Sequence, residues 1–208
     1  MSAAAVADTP TTRAAATRAR IEEAAERLFR GMGYQKTAVA DIARELGMSP
    51  ANIYRFFPSK SAINEAIAER LLGGLLEGAW TIARGPASAP ERLAALLRHI
   101  HIQHIALFFS ERRLHDMVTA AMAEHWGVIE RFIGSVQGAI RHVLMDGMAA
   151  GDFARLDAEQ TARTIKQAVL AFNHPVLVEE CVSRIMTQEE MAAQAEQMTV
   201  FILRALRP

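Results

Sequence analysis

The sequence predicts an all-α protein: a three-helix N-terminal domain built on a helix-turn-helix, followed by a larger helical bundle, about nine helices in all. Three observations carry this. Alanine, leucine, glutamate and arginine dominate a chain of 208 residues that is 51% hydrophobic but 6% aromatic, a composition that favours helix and allows a sizeable core. Apolar residues recur at spacings of three and four, with no strand-like alternation. Residues 37–60, TAVADIARELGMSPANIYRFFPSK, read as two short helices joined by a tight turn.

Taken in order, residues 1–16 are small, polar and proline-containing, the pattern of a flexible tail. Arg13, Arg18 and Arg20 leave a second reading open, a basic arm that reaches DNA ahead of a helix-turn-helix. A first helix over residues 17–30 places Ile21, Ala24, Ala25, Leu28 and Phe29 on one stripe. Gly31 and Gly33 end it, and Tyr34 reads as a packing residue with a bonded hydroxyl.

Thr37 is suited to cap the next helix, whose Val39, Ile42, Ala43 and Leu46 share an apolar face and whose Asp41 lies near the positive N-terminal end. Gly47 closes that helix. Ser49 followed by Pro50 starts another, because the serine oxygen accepts an orphan backbone N–H and proline at the first helical position has none to lose. At about 100° per residue, Ile53 and Phe57 then face the protein, while Ala51 and Arg55 face away, flanked by Asn52 and Tyr54. Arginine suits phosphate or a guanine edge, asparagine suits adenine, tyrosine suits phosphate, and a small alanine permits close approach or contact with a thymine methyl. Lys60 follows Pro58 and Ser59, where its ammonium and a helix N-terminus point to a phosphate. An ordinary helical hairpin with a solvated outer face shares this pattern.

The order of elements narrows the choice. The leading helix RIEEAAERLFRGMGY, then TAVADIARELGMS, then NIYRFFPSK running into a long apolar helix closely resembles the TetR family of bacterial transcriptional regulators over residues 17–80. The resemblance implies that Thr37, Val39, Ser49, Pro50, Ala51, Asn52, Tyr54, Arg55 and Lys60 sit where family members touch DNA, with Ile53 and Phe57 in the core. Phe56 stands where many members carry a histidine that bonds phosphate, so packing or contact with a sugar replaces that bond here.

A long helix over residues 59–84 carries Ile63, Ala66, Ile67, Leu71, Leu75, Ala79 and Trp80 and links the two domains, expected at residues 17–65 and 66–208. Gly73 and Gly74 weaken it and mark a bend or a close helix crossing. The segment GPASAP, residues 85–90, is a break. Further helices are expected over residues 91–109, 111–122, 125–150, 158–181 and 188–206, with Gly151 ending the third and Thr187 with Glu190 capping the last. Pro175 should kink or split the fourth near Asn173.

In the resembled family these helices enclose an effector pocket, which implies Trp80, His101, His104, Phe108, Met122, Trp126 and Phe172 as ligand contacts, alongside Leu97, Phe109, Met117 and Phe132. Each equally suits plain core, since methionine and aromatic stripes at helical spacing usually pack. A mixed apolar cavity with imidazoles suits a flat or amphipathic organic ligand. The resemblance further implies a four-helix dimer interface from Ile165 and Val169 on one helix and Met191, Ala195, Met198 and Ile202 on another. One of these seams serving the monomer core is the alternative.

Charge, cysteine and motif content bound the function. Lys and Arg total 23 against 23 Asp and Glu, so affinity for a polyanion rests on local placement. A lone Cys181 forms no internal disulfide and fits a reducing cytoplasm. No signal peptide or membrane span is visible. All seven histidines follow residue 98; His101 and His104 share a helix face, yet no carboxylate or cysteine joins them at ligand spacing, so neither metal nor cofactor is expected. No nucleophile elbow or phosphate loop supports an enzyme. The expectation is a cytoplasmic, homodimeric, sequence-specific DNA-binding repressor of a near-palindromic operator, released by a small-molecule effector. The alternative is a DNA-tethered interaction protein whose bundle binds a protein partner.

Overall fold

Apolar spacing of three and four residues has one outcome wherever the chain is described: in the computed structural model, which describes residues 10–109, 117, 119, 120, 122 and 127–208, every regular element is helical. The elements are α1 (Pro10–Met32), α2 (Val39–Glu45), α3 (Pro50–Tyr54), α4 (Lys60–Ala83), α5 (Ala89–Phe109), α6 (Gly127–Ala150), α7 (Ala158–Ala168), a 3-10 turn (Leu170–Phe172), α8 (Pro175–Arg184) and α9 (Gln188–Ala205). Two compact units divide the chain, Met1–Ala68 and Glu69–Pro208, and α4 supplies residues to both.

The first unit is held by the apolar faces that its periodicity dictates. Ile21, Ala24, Ala25 and Phe29 of α1, Ile42 and Ala43 of α2, Ile53 of α3, Phe57 and Ile63 are fully buried, each large side chain contributing about 1.5–3 kcal/mol. α1 begins at Pro10, so residues 10–16 of the expected tail are helical. Arg18 belongs to this packing and to no arm: its guanidinium lies 3.9 Å from the Phe57 ring centre and donates to the Phe56 carbonyl at 2.7 Å.

Both helix junctions use local chemistry. Gly47 adopts φ +64° after α2, a conformation costly for a residue with a Cβ. The Ser49 hydroxyl accepts from the Asn52 amide, with Pro50 at the first position of α3. The α2 start differs from expectation. Ala38 is the N-cap, and the Asp41 carboxylate accepts its amide at 2.9 Å, while the Thr37 hydroxyl donates back to the Gly33 carbonyl.

In the second unit α6 is the central element by burial, with Val128, Phe132, Val136, Ala139, Ile140, Val143, Leu144 and Gly147 inward. Helices α5 and α7 pack on α6, and α9 packs on α5. Gly147 lets Phe153 and Ala89 approach closely. The Asp157 carboxylate caps α7, and Thr187 with Glu190 forms the reciprocal box at α9. Nothing crowds Gly73 or Gly74; the close approach in α4 falls at Gly78, where an added Cβ would sit 2.6 Å from the His99 ring.

The proline effect propagates further back than Asn173. Helix α7 stops at Ala168, the chain tightens into the 3-10 turn, and His174 is extended ahead of Pro175. A residue preceding proline is driven out of the helical region, and the proline ring would strike the carbonyl four residues earlier. Asn173 covers part of the damage by donating to the Val169 carbonyl at 3.1 Å. Among the described residues no helix is long and apolar enough to cross a membrane.

Candidate functional site

The outer face of α3 follows from burial of its inner one. With Ile53 and Phe57 fully buried, Ala51, Tyr54 and Arg55 are exposed and Asn52 is half-buried; Tyr54 retains 51% of its surface. Ser49 and Pro50 are exposed at the N-terminal end of the same turn. No described residue bonds the side chains of Asn52, Tyr54 or Arg55, so the guanidinium, amide and phenol are available together on one face. That donor set matches phosphate oxygens and base edges.

Three of the residues expected on this surface are placed otherwise. Thr37 keeps 2% of its surface and Val39 8%, so neither side chain is offered to solvent. The Lys60 ammonium donates to the Tyr34 and Thr37 carbonyls at 2.8 and 3.1 Å and lies 4.4 Å from the Tyr34 ring centre. It ties α4 to the loop before α2, because these carbonyls have no helical amide to accept.

In the second unit a cavity of about 310 Å³ opens among α4, α5, α6 and the α7–α8 segment. Leu72, Leu97, Ile100, Phe132, Val136 and Ile140 form its apolar wall. Its other border is a single stretch of chain carrying Lys166, Gln167, Asn173 and His174.

The expected ligand contacts that are described lie in more than one place. His104 and Met122 border this cavity. His101 and Phe172 border a smaller recess of about 190 Å³ beside α9, joined by a His101 Nδ1 to Phe172 carbonyl bond of 2.9 Å. Trp80 borders neither; its Nε1 donates to Ser135 Oγ at 3.0 Å and Arg84 covers its indole at 4.4 Å. Trp126 and the side chain of Phe108 lie outside the described residues.

His104 is held neutral. Burial pushes its pKa down, outweighing its bond to the Ile100 carbonyl, and His101 and His99 add smaller effects in the same direction as burial. The Nδ1 to Ile100 carbonyl distance of 2.7 Å requires the proton on Nδ1. Among the described residues no group of three His, Cys, Asp or Glu side chains converges as for a metal ion.

Sequence reasoning missed Lys166, Asn173 and His174 as cavity residues. Lys166 follows Ile165 and counts as solvent-facing by periodicity, while Asn173 and His174 read only as a helix break. The residues expected in the dimer seam differ in burial. Ile165, Val169, Met191 and Ile202 are buried within their own chain, because α7 packs on α6 and α9 on α5. Ala195 and Met198 are half-buried. The outward apolar residues of this region are Val200, Phe201, Leu170, Val176, Leu177 and Ile185, with Phe201 67% exposed.

Comparison with known proteins agrees with this architecture. The family described as bacterial regulatory proteins, tetR family, matches residues 21–67, and the tetracyclin repressor-like C-terminal domain matches residues 89–193. The HTH-type transcriptional regulator BetI of Rhizobium meliloti (strain 1021) is 34% identical over 76 residues, 36% of this chain and 37% of that protein. The chain thus matches about a third of the length of such curated relatives.

Among solved structures, a TetR-family regulator from Pectobacterium atrosepticum superposes with a TM-score of 0.74 at 18% identity, covering 96% of this chain and 97% of that one. The regulator FadR from Bacillus subtilis, solved in complex with stearoyl-CoA, gives 0.65 at 18% identity over 91% and 99%. At such identities the likeness speaks for the fold. With one family description spanning the helix-turn-helix and the other, beyond it, covering just over half of the whole chain, this protein belongs to the TetR family of bacterial regulators.

Proposed function

We propose that this protein is a homodimeric repressor whose two α3 helices occupy successive major grooves of a near-palindromic operator, about 34 Å apart, and which a small molecule releases. The observation that supports it is the outward donor set of Asn52, Tyr54 and Arg55, held on a helix whose inner side is fully buried. Ser49, Pro50 and Ala51 complete the reading surface. Thr37 and Lys60 serve it from behind, as supports of the turn.

The effector acts by preferring one spacing of the two heads over another; equal affinity for both would leave DNA binding unchanged. The cavity bordered by His104 and Met122 is its site. The second copy covers the outward side of α9 at Val200 and Phe201, in place of the seam that the monomer buries.

Footprinting on the DNA beside the protein's own coding region should show a protected palindrome at modest salt; none there counts heavily against the proposal. Arg55→Ala and Tyr54→Ala should each weaken the specific complex about tenfold or more, since a good base contact contributes about 1–3 kcal/mol, without lowering the thermal midpoint. Parent-like binding by both variants would remove α3 from the reading surface. The rival in which the bundle takes a protein partner draws on exposed Leu177 and Ile185, but a filled core would suit it better than this cavity does.

A further inference from the structure

We infer that the cavity of the second unit takes an organic acid with an apolar body of roughly ten carbons, its carboxylate held at Lys166 and His174. This rests on the ligand-responsive reading above and gives that ligand a chemical class.

Size comes first. A dry cavity of about 150 Å³ lined by Leu, Ile and Phe accommodates benzene, and the volume here is about 310 Å³. Scaling by volume gives a ligand of roughly a dozen heavy atoms, too small a space for an eighteen-carbon chain to enter whole.

Polarity is then distributed along one axis. Every wall contributed by α4 and α6 is apolar, from Leu72 to Ile140, so the body of the ligand has no hydrogen bonds to satisfy there. The polar border is the broken stretch from Lys166 to His174. Among the described residues no Asp or Glu lines the cavity, and the Lys166 ammonium is its charged group. No described residue pairs with that ammonium. An anion at this end gains a charge-assisted bond, whereas a cation would meet like charge in an apolar setting.

The break in the helix leaves hydrogen-bonding capacity unused at the same place. Asn173 Oδ1 and His174 Nδ1 are shielded from solvent and lack a partner among the described residues. Native structures rarely leave such groups orphaned, and a bound head group is a source of the missing partners. His174 is also the N-cap of α8 and makes no side-chain cap bond, so the positive end of that helix adds to the attraction. A carboxylate accepts from Lys166 Nζ and, with the proton on Nδ1, from His174; Asn173 Oδ1 accepts from a hydroxyl or water beside it. His104, neutral with Nδ1 committed to Ile100, presents no second cation along the body of the ligand.

Calorimetric titration of the full-length protein with decanoate, 2-naphthoate, 1-decanol and stearate tests this. One of the two mid-sized acids should bind at least tenfold more tightly than 1-decanol and more tightly than stearate. Lys166→Met should remove most of that preference while changing 1-decanol affinity less than twofold and leaving the thermal midpoint of the unliganded protein in place. Val136→Phe, which fills the cavity, should abolish binding of acid and alcohol alike.

Equal affinity for acid and alcohol, an unchanged preference in Lys166→Met, or no binding of either mid-sized acid would overturn the assignment. Release of operator DNA is measured separately. Acid binding without release would leave the ligand class standing and refute effector control, whereas release by an uncharged compound with no acid bound would do the reverse.

Discussion

The two candidate sites, one in each unit, differ in whether their polar side chains meet solvent. In the first, Asn52, Tyr54 and Arg55 stand outward from a helix whose apolar side is fully buried. In the second, His101 and His104 are buried, and orphaned atoms of His101, Asn173 and His174 are shut away from solvent. An outward polar group has water as its alternative partner and costs little until DNA arrives. An inward one has no such alternative, and each missing bond costs about 1–3 kcal/mol. The head therefore offers its polar groups to solvent, and the bundle encloses polar atoms that lack a partner among the described residues.

The sharpest way to break this contrast is to strike the side of the head that holds α3 in place. Phe57→Ala removes a fully buried ring covered by Arg18 and should cost about 3–5 kcal/mol of the first unit's stability in urea denaturation. A loss under about 1 kcal/mol would mean that α3 is not supported from behind.

The bundle answers to a smaller change at a tighter place. In Gly147→Ala the new Cβ collides with the Phe153 ring and meets the Ala89 Cβ at 2.8 Å, so the variant should lose about 1–3 kcal/mol despite the better helix former. Gly73→Ala meets nothing within 4 Å and should instead gain about 0.5–1 kcal/mol. Thermal midpoints of the two variants moving the same way would show that packing around α6 is looser than described.

Acid titration gives the smallest effect. Burial lowers the His104 pKa in the folded protein, so the unfolded chain takes up its proton first as pH falls through the ordinary value of about 6.5. Stability should therefore decline below that pH, and the decline should flatten in His104→Leu, followed by urea midpoints between pH 7.5 and 5.5. Parallel curves for parent and variant would place the imidazole in contact with solvent.

How much of this was legible depended on whether a signal was local. Ser49 and Pro50, Gly47, and the Thr187–Glu190 box act within one helical turn, and each is where the residue types require. Thr37 was a plausible cap by type, yet Ala38 is the N-cap of α2, its amide bonds the Asp41 carboxylate, and the Thr37 hydroxyl donates to the Gly33 carbonyl. Lys60 carried a charge suited to phosphate, but two nearer carbonyls in the folded loop took its ammonium.

What the sequence alone determined is the helical architecture and the outward face of α3, because periodicity and end-caps are set by residues within four positions of one another. Only the tertiary structure decided that Met191 and Ile202 face their own core, that Lys166 borders a cavity, and that α7 yields at Ala168. A helix with apolar residues around much of its circumference has more than one side to bury. Which side goes inward depends on neighbours far along the chain, whose shapes must fit without voids.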